Sequence, residues 1–153
     1  ILAFFSVSAQ AQVSPEQLDR FAQNPKIIRN RQKVLTVQHN AQFIIDVGKE
    51  HGSFGKFISR WPEEDLIGLF AYMKKRGARL GGMTGQRVLR NMGKDTFIVT
   101  WDVVRCLQRA GLDINDNPGS KRELGLIQAC FNQWHLESGL PYSHISRSCA
   151  LSL

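Results

Sequence analysis

The sequence predicts an all-α fold, and three observations carry that expectation. Apolar residues recur at helical spacing along most of the chain, and capping signatures and glycines punctuate those stretches. The one short apolar run that could be a strand, Phe97-Ile98-Val99, has no second strand to pair with. At 153 residues with 42% hydrophobic and 22% charged content, the chain is one globular domain's worth. That composition excludes disorder, collagen and a membrane-spanning bundle.

Taken in order, the elements follow from local signals. The apolar run at 1–11, with Ala9 and Ala11, fits either the tail of a secretory signal or the end of a core helix. Ser14-Pro15-Glu16-Gln17 is a capping box with proline at the first helical position, so a short helix starts there and stops near Asn24-Pro25. From Pro25 to about Gly48, Ile27, Ile28, Val34, Leu35, Ala41, Ile44 and Ile45 recur at three, four and seven. Arg29, Arg31, Lys33 and Gln38 take the other face of this long helix, which Gly48 and Gly52 end. A short helix spans 53–61. Pro62 with Glu63, Glu64 and Asp65 then opens one that runs through Leu66, Leu69, Phe70 and Met73 to the basic end Lys74-Lys75-Arg76-Gly77. After a glycine-rich turn, 86–92 forms a helix closed by Gly93, and Thr100 or Asp102 caps the next, which runs to Gly111. A loop at 115–119, a long helix from Ser120 to Gly139 and a short one opened by Pro141 complete the chain, with 97–99 a buried connector. No stretch approaches the roughly 20 apolar residues of a membrane span, so a soluble chain is expected.

Twenty Lys and Arg against 13 Asp and Glu give +7 and a pI near 9.7, which favours an anionic partner. Lys74, Lys75, Arg76, Arg79, Arg87, Arg90 and Lys94 supply seven positive charges with no acid among them, as many as the whole excess. The plain reading is a solvated helix end. The hairpin Leu80-Gly81-Gly82-Met83-Thr84-Gly85 adds a second one, because glycines let backbone approach a phosphate and the next helix's first amides point outward to receive it. The stretch 74–94 is therefore a candidate clamp on a DNA backbone, built from Lys74, Lys75, Arg76, Arg79, Gly81, Gly82, Thr84, Gly85, Gln86, Arg87 and Lys94.

Three cysteines, Cys106, Cys130 and Cys149, lack C-x-x-C spacing and give neither a zinc knuckle nor a disulfide framework. A reducing, intracellular compartment fits them. His39, His51 and His135 stand alone on helices, and there is no phosphate-binding or dinucleotide fingerprint. Asp102 stands out as an acid among Phe97, Ile98, Val99, Trp101, Val103, Val104 and Cys106, where it caps a helix or does chemical work. Trp61 and Trp101 are core residues or ring faces for a ligand, and Trp134, beside Ile127 and Phe131, is core.

The run Lys74-Lys-Arg-Gly-Ala-Arg-Leu-Gly-Gly-Met-Thr-Gly-Gln86, followed by Gly93-Lys-Asp-Thr-Phe-Ile-Val-Thr-Trp-Asp102, resembles the helix-hairpin-helix DNA glycosylase superfamily. Within it the chain is most similar to DNA-3-methyladenine glycosylase I-like proteins. Residues 27–33 with Asn40-Ala41 resemble that family's helix before the hairpin, and Ser120-Lys-Arg-Glu123 with Phe131-Asn-Gln-Trp134 its C-terminal helix. The resemblance covers roughly residues 15–152, the C-terminal two-thirds of such a glycosylase, without the N-terminal helices that supply an aromatic wall of the base pocket. Thr84 stands where the family hairpin often has glycine, and Gln86 where bifunctional relatives carry lysine, so a monofunctional hydrolase is implied.

The resemblance implies a single helix-hairpin-helix glycosylase-like bundle that excises alkylated bases of the 3-methyladenine type from double-stranded DNA. Asp102 then faces the deoxyribose as the catalytic carboxylate, and Trp101 and Trp61 stack the flipped cationic base. His144 and Cys149 resemble the zinc-binding pair of glycosylase I with spacing one residue longer, but their two partners are missing, so neither metal nor cofactor is expected. A monomer in the bacterial cytoplasm, away from membranes, is implied. Two other readings stay open: a non-catalytic DNA-binding remnant, and a secreted basic helical protein.

Overall fold

The computed structural model describes residues 6–26 and 30–152, and among them finds nine α-helices, one 3-10 turn and no strand. They divide into two compact units, Ile1–Arg60 with Arg76–Arg79, and Trp61–Lys75 with Leu80–Leu153.

The first unit holds α1 (Val7–Ala11), α2 (Pro15–Gln23), α3 (Arg31–His51) and α4 (Phe54–Arg60), with α3 as the spine on which the other three pack. The Ser14 capping box forms as expected, Gln17 N–H to Ser14 Oγ at 3.3 Å and Ser14 N–H to Gln17 Oε1 at 3.0 Å. Asn30 caps α3 by accepting from Lys33 N–H at 3.1 Å, and the expected earlier start through Ile27, Ile28 and Arg29 lies outside the described residues. The helix passes through Gly48 and stops only at Gly52, whose φ of 84° is left-handed. Its buried face is Ala41, Phe43 and Val47, against Phe54, Phe57 and Ile58. Leu35, expected on that face, is exposed, while Gln38, expected on the polar one, is half-buried and donates from Nε2 to the Ala11 and Val13 carbonyls. Asn40 holds Ala78 as a backbone partner would, accepting its N–H at 2.8 Å and donating to its carbonyl at 3.1 Å.

The second unit runs from a 3-10 turn (Glu63–Asp65) into α5 (Leu66–Arg76), then α6 (Gly82–Asn91), α7 (Trp101–Arg109), α8 (Lys121–Ser138) and α9 (Tyr142–Leu151). Its core is Leu66, Phe97, Val103, Leu107, Ile127, Phe131 and Tyr142, with Phe97 stacked on Phe131 at 4.3 Å. The connector is buried at Phe97 and Ile98 and half-buried at Val99, and side chains satisfy much of its backbone in place of a neighbouring strand. Ile98 N–H donates to Ser146 Oγ at 3.0 Å, that hydroxyl donates back to the Ile98 carbonyl, and Val99 N–H donates to Gln86 Oε1 at 2.9 Å. Of the two cap candidates for α7, Thr100 takes the position, its Oγ1 accepting from Val103 N–H. The helix after the hairpin begins at Gly82, four residues earlier than expected. Among the described residues no helix is long and apolar enough to cross a membrane.

Candidate functional site

The hairpin glycines do different jobs. Gly82 is exposed with a φ of 56°, a conformation that admits a side chain poorly, and it opens α6. No side chain caps this helix, so the exposed first turn of Gly82, Met83 and Thr84 offers its amides outward. Gly85 is buried and pressed on the backbone: a Cβ there would overlap the Leu80 carbonyl oxygen. Gly81 packs under the Lys74 methylenes, 3.3 Å from where its Cβ would stand. Lys74, Lys75 and Arg87 are exposed.

Four further residues of the predicted clamp sit differently. Gln86 is buried, and its amide oxygen is committed to Val99 N–H. Lys94 is only 7% exposed, with Nζ donating to the Trp61 carbonyl at 2.7 Å, so its charge is held inside the second unit instead of facing a partner. In the first unit Arg76 pairs with Glu50 at 3.1 Å, and Arg79 is exposed with a left-handed φ of 58°.

A cavity of about 570 Å³ joins the hairpin to α7. Lys74, Gly82, Met83 and Gln86 line one side, Thr100 and Trp101 another, and residues 116–119 with Leu124 a third. Trp101 is 60% exposed, an unusual position for an indole, and the Arg105 guanidinium carbon lies 5.1 Å from its ring centre. Asp102, half-buried at the second position of α7, does not line this cavity. The acid that does is Asp116, which accepts from Gln108 Nε2 at 3.1 Å and lies 4.0 Å from Arg105 Nη1. Sequence reasoning missed Asp116 because it read 115–119 only as a loop. Trp61 is half-buried elsewhere in the unit, its indole N–H donating to the Asp65 carbonyl at 2.8 Å and its ring 5.8 Å from Tyr72.

The family model for methyladenine glycosylase matches residues 1–105. The chain belongs to the methyladenine glycosylase family. No curated protein and no solved structure matches it. The general function carried by membership is that of a DNA glycosylase, with DNA as its substrate. The match takes in the hairpin, α6 and the start of α7 with Trp101 and Asp102. It ends before Asp116, α8 and α9, which the sequence resemblance had included.

The zinc pair suggested by His144 and Cys149 does not fit the residues present. Five positions on one helix turn their side chains about 140° apart, and accordingly His144 is exposed while Cys149 is buried. Among the described residues no cluster of three or more His, Cys, Asp or Glu is arranged to hold a metal.

Proposed function

We propose that this protein hydrolyses the N-glycosidic bond of alkylated bases of the 3-methyladenine type in double-stranded DNA, without lyase chemistry. The observation that supports this reading best is the cavity shared by the hairpin and Trp101. Duplex backbone resting on the α6 amides and on Lys74 and Lys75 brings an extruded nucleotide beside an exposed indole. An alkylated purine carries positive charge, which both draws it to the indole face and makes it a ready leaving group. Hydrolysis then asks of the protein a negative charge near the developing sugar cation and an oriented water. Gln86 has no amine and is buried, so it forms no imine.

Two carboxylates flank Trp101. Asp102 follows it in α7, and Asp116 lines the cavity. Single-turnover excision of 3-methyladenine by Asp102→Asn and Asp116→Asn decides between them. The variant lacking the working charge should lose on the order of a hundredfold or more in rate, with duplex affinity retained. Duplex binding without excision by the parent chain would favour the non-catalytic DNA-binding reading, which the placement of Asp102 outside the cavity supports. Borohydride trapping of an adduct on abasic DNA at Lys74, which lines the cavity, would overturn the hydrolytic assignment.

A further inference from the structure

On α6 and α9 of the second unit, a separate cavity of about 350 Å³ is lined by Arg87, Arg90 and Arg147, with His144, Ser143 and Thr100 beside them. Among the described residues no carboxylate lines it. Arg87 and Arg147 are exposed and pair with no acid among the described residues. Arg90 is the central observation: one Nη donates to the Thr96 carbonyl, but its Nε is buried with no acceptor. A buried donor on a charged group without a partner is costly, and an acceptor from outside the chain, a water or an anion, would relieve that cost. Asp95 acts on Arg90 electrostatically, yet both its oxygens are engaged, accepting from Tyr142 N–H at 2.7 Å and Ser143 N–H at 2.9 Å. Burial accordingly pulls the Arg90 guanidinium below its ordinary range, the direction a bound anion would reverse.

We propose that this arginine cavity binds a phosphate group. Guanidiniums suit it better than lysines would, because a planar fork of donors, free on Arg87 and Arg147, matches two phosphate oxygens. The Ser143 hydroxyl adds a neutral donor. The source that suits the position is the backbone of the DNA strand already resting on the hairpin, so this assignment of source rests on the function proposed above. Arg87 lies five residues beyond Gly82, about 7–8 Å along the α6 axis at 1.5 Å per residue, which is comparable to the separation of neighbouring phosphates on one strand. Free inorganic phosphate presents the same chemistry.

The test uses the full chain and the double variant Arg87→Gln/Arg147→Gln, two exposed positions that hold no helix cap. Inorganic phosphate and undamaged duplex are titrated separately, following the Arg90 Nε–H and the Ser143 and His144 amides by heteronuclear NMR. Phosphate should shift these signals saturably in the parent, and the double variant should bind at least tenfold more weakly. Duplex should shift the same signals, and the slope of log affinity against log salt should fall by about two in the variant, about one per lost contact. A response to phosphate but not to duplex, with the hairpin amides still responding to duplex, assigns the site to free phosphate. No binding of duplex anywhere refutes the DNA clamp and leaves the phosphate titration to decide the site by itself. Absence of any response to either probe, with an unchanged salt slope, overturns the proposal.

Discussion

At the scale of single residues, chemical type announced roles that position then redistributed. Gln86 was legible as the residue that replaces a lysine, but its bond to Val99 was not, because that partner lies 13 positions away across a connector with no periodic signal. Lys94 was read as surface charge, the default for lysine. Only the fold brings the Trp61 carbonyl, 33 residues distant, onto its ammonium. Glycine shows the same limit: the sequence marks the hairpin as glycine-rich without saying which glycine is obligatory. The structure separates Gly85, with no room beside the Leu80 carbonyl, from Gly125 in α8, where a Cβ would meet open space. Gly85→Ala should cost about 1–3 kcal/mol, since the clash is with backbone and cannot relax by a rotamer change. Gly125→Ala should stabilise by about 0.4–1 kcal/mol, as expected for alanine in a helix interior. Urea unfolding of both variants measures the pair, and equal effects would contradict the packing described for Gly85.

At the scale of elements, the helices whose ends carry local chemistry were the legible ones. The capping box at Ser14 forms where the sequence placed it and α8 starts behind Ser120 as expected, there with a capping box of its own to Glu123, because a cap is decided within four residues. The start of α6 was not legible, since glycine at its first position mimics a turn. The Ser120 box extends beyond its helix: Glu123 accepts from the amides of Asn115, Gly119 and Ser120 and from the Ser120 hydroxyl. Those bonds, led by the one from Asn115, draw the Glu123 carboxyl down to about 2. A carboxyl lowered by folding contributes stability that is complete above its unfolded value near 4.5 and is lost as pH falls toward 2. The thermal midpoint should therefore drop across that window, and Glu123→Gln should be less stable at neutral pH with a flatter acid limb. A variant acid limb as steep as the parent's would assign the loss to other carboxylates. For the hairpin, Lys74→Gln/Lys75→Gln should lower the salt slope of duplex binding by about one per lost contact, while Lys94→Gln, buried, should leave the slope alone and reduce stability.

At the scale of the whole molecule, the all-α class was legible from periodicity, but the division into two compact units was not, because contact density leaves no local mark. Nor did the sequence suggest that Arg147, 57 positions after Arg90, would line the same cavity. The cysteines offer a way to follow the second unit by itself. Cys106, Cys130 and Cys149 all belong to it, as do Trp61, Trp101 and Trp134. Burial pushes the Cys130 thiol up to about 11 and, with a bond to Cys106 adding to it, that of Cys149 up to about 12. A thiol raised by folding favours the native state below its unfolded value near 9, and that contribution is lost as pH rises through 11 to 12. At pH 8 a thiol at 11 holds on the order of a hundredfold less thiolate than an unperturbed one, and thiolate is the reacting species. Native protein at pH 8 should thus leave Cys130 and Cys149 nearly inert to an aromatic disulfide reagent. In increasing urea their labelling should rise together with the shift in tryptophan fluorescence, because one unit carries both reporters. Fast labelling of either cysteine before the fluorescence changes would show that α8 and α9 open without the rest of their unit, and the core that joins Phe97, Phe131 and Tyr142 would not be the cooperative one described.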